Sequence, residues 1–406
     1  QQPFQYTPPT GFSALQTQNL PAATIPNGTE GFRPVLAPGN SVLSVAQADS
    51  KNPDGYTGLQ GPAMWWIKDI VNANQWQILD SVRGANNALT TPAKGPQAPF
   101  TTPVGTSISY CWRKDPTLGF DILTWTGTGV SKPISHNLDQ TKPLDAVLVK
   151  TYAAGTGATY INDANWIWWS NALQDAGFMY WNTSGAYSTA TTFFNGNPNA
   201  TLGSLTVGTD ADTNANPAIY GATYEYVGYV FQSVPGFSSI GTYEGNGSAD
   251  GPFIYTGFTP SFVYLKRTDS SGDWQVRDST RNEFNPVSYQ LYTNQTNAQY
   301  TGAGTEVEVL SNGFKIACTD TSANGTSMLY MAFASNPFGG SNVNPTNAAL
   351  SPVPVVQYDE GNYSVGGTAL TVGTAFTHNG VQYPSNWRDI LSHEYLTGIG
   401  ATWVLS

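Results

Sequence analysis

The chain has 406 residues, of which only 27 are acidic and 16 basic, for a formal net charge of −11. That length exceeds one ordinary domain, so about two to four units are expected, and an acidic chain with no basic patch argues against nucleic acid and against an anionic membrane surface as partners. With 42 Gly, 27 Pro and 40% hydrophobic residues the composition is turn-rich yet able to bury a core, and no apolar run approaches the roughly 18 residues needed to span a bilayer, so no membrane insertion is expected.

The first thirty residues, opening QQPFQYTPPTGFSALQTQNLP, are Pro-rich and nearly uncharged. They are expected to form an extended arm lying on a partner or a neighbouring domain. A start at Gln1 rather than Met suggests a segment upstream. Beyond the arm the chain repeats itself. WQILDSVR at 76–83 returns as WQVRDSTR at 274–281, and both stand at the same distance from an apolar stretch ending in Lys, MWWIK at Lys68 and FVYLK at Lys266. A looser copy ends at Lys150 in LDAVLVK, with Trp166 displaced by an eight-residue insertion and Ser170 where the other copies have Asp.

Gly-Phe pairs (Gly31-Phe32, Gly119-Phe120, Gly236-Phe237) open the copies. Apolar segments with a Tyr five residues after a Gly (Tyr110, Tyr226, Tyr330) close them. The units therefore run 31–114, 118–235 and 236–340. Their apolar runs are short, rich in Val, Ile, Thr, Tyr and Trp, and punctuated by Asn, Gly, Asp and Ser, with no helical periodicity. The expected fold is all-β: three tandem antiparallel β-sandwich domains of jelly-roll or concanavalin-like type. Each is expected to close its own core, with Lys114–Leu118 and Val234-Pro235 as linkers. Residues 341–406 are expected to be a small C-terminal β domain. It carries a short helical segment in PSNWRDILSHEYLTGIG, with Ser392 as N-cap and Gly398 and Gly400 as stops.

PFQYTPPTGFSALQTQNLP, WIK…DSVRG and GFSSIGTYEGNGSADGPFIYTGFTPSFVYLKRTD…LSNGFKI…LYMAFASNPFGG together resemble virion structural proteins of tailed bacteriophages, many from marine and cyanobacterial hosts. In that family an SPRY-type domain often precedes the PPTGF arm. The resemblance spans nearly residues 1–340 and implies a place at the virion surface as a tail fibre, appendage or decoration protein. Other virion proteins are then the expected partners, along with further copies of the chain in a homo-oligomer and a host surface glycan or receptor.

The repeated corner of Trp76, Asp80 and Arg83, with its copy Trp274, Asp278 and Arg281, has two readings. It is a polar clamp for a sugar or carboxylate, or an ion pair pinning a strand-to-loop corner; repetition at fixed distance from a core strand favours the second. Trp166, Trp168, Trp169, Tyr180 and Trp181 form, with Phe178, the densest aromatic cluster. Because Trp168 and Trp169 point to opposite faces of a strand, one face is expected to be open, which makes the cluster a candidate glycan or receptor contact. Asp210, Asp212 and Asn214 alternate like the start of a calcium loop but lack its Gly and closing Glu, which favours a polar turn. His136, His378 and His393 lie in separate segments without metal-ligand spacing, and no nucleophile elbow or phosphate loop is present. No cofactor, metal or catalytic residue is expected. A glycan-binding adhesin, a tailspike-like polysaccharide-degrading enzyme and an extracellular filament protein of phage ancestry stand as alternatives.

Overall fold

The computed structural model describes residues 31–39, 41–42, 63–84, 86–173, 176–282 and 284–334, positions 25 and 28, and seven short segments between 356 and 404 (356–359, 362–365, 368–371, 374–378, 381–383, 393–397 and 400–404). The N-terminal arm lies outside the described residues. Repeat 1 comprises β1 (Phe32–Pro38), β2 (Ala63–Asp69), β3 (Trp76–Asp80), β4 (Asn87–Thr91), β5 (Ala98–Pro99) and β6 (Thr106–Arg113). Repeat 2 comprises β7 (Phe120–Thr126), β8 (Lys132–Ser135), β9 (Ala146–Ala154), β10 (Ile167–Ser170), β11 (Gly177–Tyr180), β12 (Ser188–Thr189), β13 (Ser204–Val207) and β14 (Tyr224–Phe231). Repeat 3 comprises β15 (Ser238–Tyr243), β16 (Phe253–Tyr255), β17 (Phe262–Arg267), β18 (Gln275–Asp278), β19 (Leu291–Tyr292), β20 (Val307–Leu310), β21 (Gly313–Ile316) and β22 (Met328–Phe333).

All three repeats wind their main sheet the same way. The strand order is β1-β6-β2-β3-β4-β5, then β7-β14-β9-β10-β11-β12, then β15-β22-β17-β18-β19. In each, the last strand of the repeat inserts between the first two strands of the main sheet. Repeat 2 adds an outer pair, β8-β13, and repeat 3 an outer sheet, β16-β21-β20, so these repeats are two-layered sandwiches.

Register fixes which residues correspond. Lys68 lies opposite Ile108, Lys150 opposite Val227 and Lys266 opposite Leu329. Four residues before each lysine, Met64, Ala146 and Phe262 face Asp80, Ser170 and Asp278. The three closing tyrosines grouped by their distance from a Gly are therefore not equivalent. Gly105, Gly221 and Gly325 precede the ladder positions Ile108, Val227 and Leu329 by three, six and four residues, so counting from the Gly loses register. The structural counterparts of Tyr110 are Tyr229 and Met331.

The inner strands explain how the repeats pack. AMWWIKD in β2 is buried along its whole length. Successive residues point to opposite faces, so a strand buried throughout needs cover on both sides. Met64 and Trp66 face one core, while Ala63, Trp65 and Ile67 face another. The same division holds in β9, with Ala146 and Leu148 opposed to Val147 and Val149, and in β17, with Phe262 and Tyr264 opposed to Val263 and Leu265. Each repeat has its own outer core, but the inner faces of all three meet in a single central one. Ring pairs cross it between every two repeats: Phe32 with Phe262 at 5.3 Å, Trp66 with Trp181 at 4.9 Å, Trp168 with Trp274 at 5.3 Å. Each large side chain buried there contributes about 1.5–3 kcal/mol.

The expected arrangement of self-contained sandwiches spaced by linkers is corrected accordingly. A single repeat left alone would expose one apolar face of its main sheet, and the other two repeats cover it. Leu118 and Val234, from the expected linkers, are part of the central core. The described residues from 25 to 334 form one compact unit, and those from 356 to 404 belong to a second. In the second unit β23 (Val356–Asp359), β24 (Asn362–Val365), β25 (Thr368–Leu370), β28 (His393–Thr397) and β29 (Gly400–Val404) form a sheet ordered β25-β24-β23-β28-β29, and β26 (Phe376–His378) pairs with β27 (Val381–Tyr383). The HEYLT part of the expected helical segment is a strand, pairing parallel with β23 and antiparallel with β29. Sheet partners on both sides override a weak helical preference in five residues; Ser392 lies outside the described residues.

Candidate functional site

The positions that recur in the sequence converge on the seams between repeats. Lys68, Lys150 and Lys266 are fully buried. Lys68 Nζ donates to the carbonyls of Asp69 at 2.9 Å and Asn74 at 2.8 Å in its own repeat, and to Thr296 of repeat 3 at 3.1 Å. Lys150 Nζ donates to Ala164 at 2.6 Å and to Lys94 of repeat 1. Lys266 Nζ donates to Arg267 at 2.7 Å and to Ser184 of repeat 2 at 3.3 Å. Burial pushes these ammonium groups down, to about 8 for Lys68, about 7 for Lys150 and about 8 for Lys266. Carbonyl oxygens stand in for the water that the buried amines have lost.

The repeated tryptophans act in the same sense. Trp76 Nε1 donates to Tyr292 O at 2.8 Å, Trp166 Nε1 to Thr90 O at 3.1 Å and Trp274 Nε1 to Thr183 O at 3.1 Å. Repeat 1 thus reaches repeat 3, repeat 2 reaches repeat 1 and repeat 3 reaches repeat 2, so the contacts close a ring. Main-chain bonds run back the other way. The amides of Gln97, Tyr187 and Gln299 donate to the carbonyls of Tyr152, Thr268 and Ile70 at 2.8–2.9 Å, and each acceptor stands two residues after its repeat's lysine.

The Asp-Arg corners occupy two of the three seams. Asp80 Oδ1 accepts from the amides of Val82 and Arg83 at 3.0 and 2.8 Å, while Oδ2 accepts from Arg83 Nε at 2.6 Å and from Tyr229 Oη of repeat 2 at 2.7 Å. Asp278 does the same with Thr280 and Arg281 at 3.0 and 2.8 Å, Arg281 Nε at 2.5 Å and Tyr110 Oη of repeat 1 at 2.6 Å. Arg83 Nη1 donates to Gln97 Oε1 at 3.0 Å and Arg281 Nη1 to Gln299 Oε1 at 2.9 Å. Both ion pairs are shut off from solvent. Burial, with the neighbouring carboxylate, holds the hydroxyls of Tyr110 and Tyr229 protonated well above the usual tyrosine range. A buried ion pair is tolerable only when its remaining donors and acceptors are met, as they are here. Of the two readings of this corner, the structural pin describes its geometry.

At the third seam every member of the clamp is replaced. Ser170 stands for the Asp, Leu173 for the Arg and Met331 for the Tyr. Ser170 Oγ donates to Asp145 O at 3.0 Å, Leu173 is half-buried against the central core, and Met331 lies within it. Beside them a cleft of about 650 Å³ opens, with Leu173, Tyr187 and Thr189 on the repeat 2 side and Tyr243, Glu244 and Asp269 among its walls on the repeat 3 side. The Asp269 carboxylate receives Arg267 Nε at 2.8 Å, which holds it below the usual range. A smaller cavity of about 330 Å³ in repeat 1 is bordered by Asp69, Gln77 and Thr101. There Asp69 accepts from the amides of Val71 and Asn72 at 3.0 and 2.9 Å, the bonds of a turn.

The aromatic cluster does not form an open platform. Trp166, Trp168, Trp169 and Trp181 are at most 1% exposed and Tyr180 is half-buried. Trp166, Trp168 and Trp181 belong to the central core and Trp169 to the outer core of repeat 2. The two-sided cover of the main sheet removes the open face expected from alternation. Asp210 caps a short helix, Ala211–Asn214, by accepting from Asp212 N. Asp212 is buried and accepts from Tyr160 Oη at 2.8 Å and Asn165 N at 2.6 Å. These oxygens are engaged by the protein's own donors. Cys111 and Cys318 are buried free thiols, and burial pushes Cys111 up to about 12.

Fold and seams define an all-β protein of three β-sheet repeats, two of them two-layered sandwiches among the described residues, interlocked in a ring around one core. The chain belongs to the family described as a domain of unknown function, DUF7483, whose model matches residues 94–337. That span takes in repeats 2 and 3 and the last two strands of repeat 1. No curated protein matches the chain, and no solved structure does.

Proposed function

We propose that the protein is a structural component of a phage particle, a tail fibre, appendage or surface-decoration protein that acts through assembly at the virion surface. The observation that carries this reading is where the recurring residues go: lysine, tryptophan and the Asp-Arg corner lie at the seams inside the molecule. Positions kept through duplication are those that make three repeats into one stiff body. Stiffness is what a surface appendage needs, and the resemblance of the arm and repeats to virion proteins of tailed phages supplies the setting. Other virion proteins and further copies of the chain are the partners this reading implies.

The test is direct. Particles are purified from a lysate in which the chain is expressed, their proteins are counted by mass spectrometry, and a gold-labelled antibody against residues 31–334 locates the chain by electron microscopy. The expected result is a fixed copy number per particle with label at one recurring position. Absence from purified particles, with the chain recovered only from cells or as free filaments, overturns the proposal.

A further inference from the structure

The third seam differs from the other two in a way that creates a concave surface. Where repeats 1 and 2 meet, Arg83 lies buried below the Tyr152 ring, 5.9 Å from its centre, and ties Asp80 to Tyr229. Where repeats 3 and 1 meet, Arg281 fills the corresponding place and Ile70 stands where Tyr152 does. At the seam of repeats 2 and 3 the corresponding residues are Leu173 and Thr268, both smaller. The main-chain bond from Tyr187 N to Thr268 O still ties the two repeats, so the seam is held while its outer part is hollow. The result is the cleft of about 650 Å³, a size that suits a small organic ligand.

Its walls define a ligand class. Tyrosines from both sides are fixed in place. Tyr187 packs so closely over Gly177 that a Cβ there would lie 1.9 Å from its ring, and Tyr243 Oη donates to Ala323 O at 2.5 Å. Glu244 supplies a carboxylate acceptor, Asp269 is already engaged by Arg267, and Thr189, Thr242 and Ser327 supply hydroxyls that both donate and accept. Among the described lining residues there is no lysine or arginine. The half-buried Tyr187 borders the cleft, while the Tyr243 ring packs against Phe314 and Tyr330 within repeat 3. Hydroxyls and a carboxylate on the walls suit a ligand rich in hydroxyl hydrogens, and the Glu244 charge disfavours an anion. From this arrangement we infer that the cleft between repeats 2 and 3 is a binding site for a neutral or amine-bearing saccharide. It is distinct from the buried tryptophan cluster, and it does not depend on where the protein sits on a particle.

The test uses the full chain on an array of neutral, amine-bearing, sialylated and uronate-bearing oligosaccharides, with affinities of the hits measured by saturation-transfer NMR. Neutral or amine-bearing glycans are expected to bind. The exposed-site variant Glu244→Gln should weaken the best of them about tenfold, the ratio that loss of a hydrogen bond to a charged group gives, and Tyr187→Ala should weaken it at least as much. Both variants are checked for an unchanged unfolding midpoint. A third variant rebuilds the clamp, combining Ser170→Asp, Leu173→Arg and Met331→Tyr, and should abolish binding as the seam fills. Lack of binding to every glycan by the intact chain overturns the inference. So does a preference for sialylated or uronate-bearing glycans, or full affinity retained in both Glu244→Gln and Tyr187→Ala.

Discussion

Two of the seams in this molecule carry a buried carboxylate, guanidinium and phenol, and the third carries serine, leucine and methionine in their places, while lysine, tryptophan and main-chain bonds recur at all three. The comparison separates what holds the ring together from what refines it. The bonds common to every seam suffice to close it. The clamp is an added unit that comes or goes whole, because removing only the Asp or only the Arg leaves an uncompensated charge in a dry seam. Its coordinated absence between repeats 2 and 3 is the arrangement least costly to stability, and it leaves that seam hollow on the outside.

The largest effect is expected from breaking a clamp that exists. Asp278→Ala leaves Arg281 buried without its partner and should lower the unfolding free energy by about 3–5 kcal/mol, with Asp80→Ala close behind. Ser170→Ala, at the corresponding place in the third seam, removes two neutral hydrogen bonds, one of them long at 3.4 Å, and should cost about 1 kcal/mol. Guanidinium unfolding of the three variants gives the ranking; equal losses at all three positions would erase the distinction between seams. A gentler cut leaves the ion pair and removes only the reach across the seam. Tyr110→Phe and Tyr229→Phe each delete a phenol-to-carboxylate bond and should cost about 1.5–3 kcal/mol. Met331→Leu, a near-isosteric change at the corresponding place, should stay under about 1.5 kcal/mol.

Much of this plan is legible in the sequence, and the boundary of legibility is physical. Lys68, Trp76, Asp80 and Arg83 recur at 266, 274, 278 and 281, and repetition at fixed distance from a strand marks them as scaffold. Ser170 is visible as a departure from the pattern. What a linear reading misses is the partner across the seam. Tyr229 and Met331 correspond to Tyr110 only through strand register, and loops of unequal length before the last strand hide that register. The shared core is hidden for a related reason. A strand buried on both faces looks alike whether its second face meets its own outer layer or a neighbouring repeat, so MWWIK alone cannot distinguish separate sandwiches from a ring. The tryptophans of repeat 2 read as an open platform under the first arrangement and are core under the second.

A further effect is electrostatic and common to all seams. Lys150 in the folded chain loses its proton near pH 7, against 10.5 for the ordinary side chain. Between those values the unfolded chain binds more protons, so the lysine's contribution raises stability as pH rises through that window and is lowest beneath it. The unfolding midpoint of the intact chain should therefore rise more steeply from pH 7 to pH 10 than that of Lys150→Met. Parallel pH curves would show that the amine is not strained by burial.

Native-state hydrogen exchange, followed by mass spectrometry on peptides covering β2, β9 and β17, tests the shared core most directly. If the three inner sheets hold one another, their slowest amides should share a single opening free energy, and Asp278→Ala, made in repeat 3 alone, should lower it in all three repeats together. Three distinct opening free energies, with the effect of Asp278→Ala confined to β17 and its neighbours, would mean that each repeat is stable by itself and that the ring is only an arrangement of independent domains.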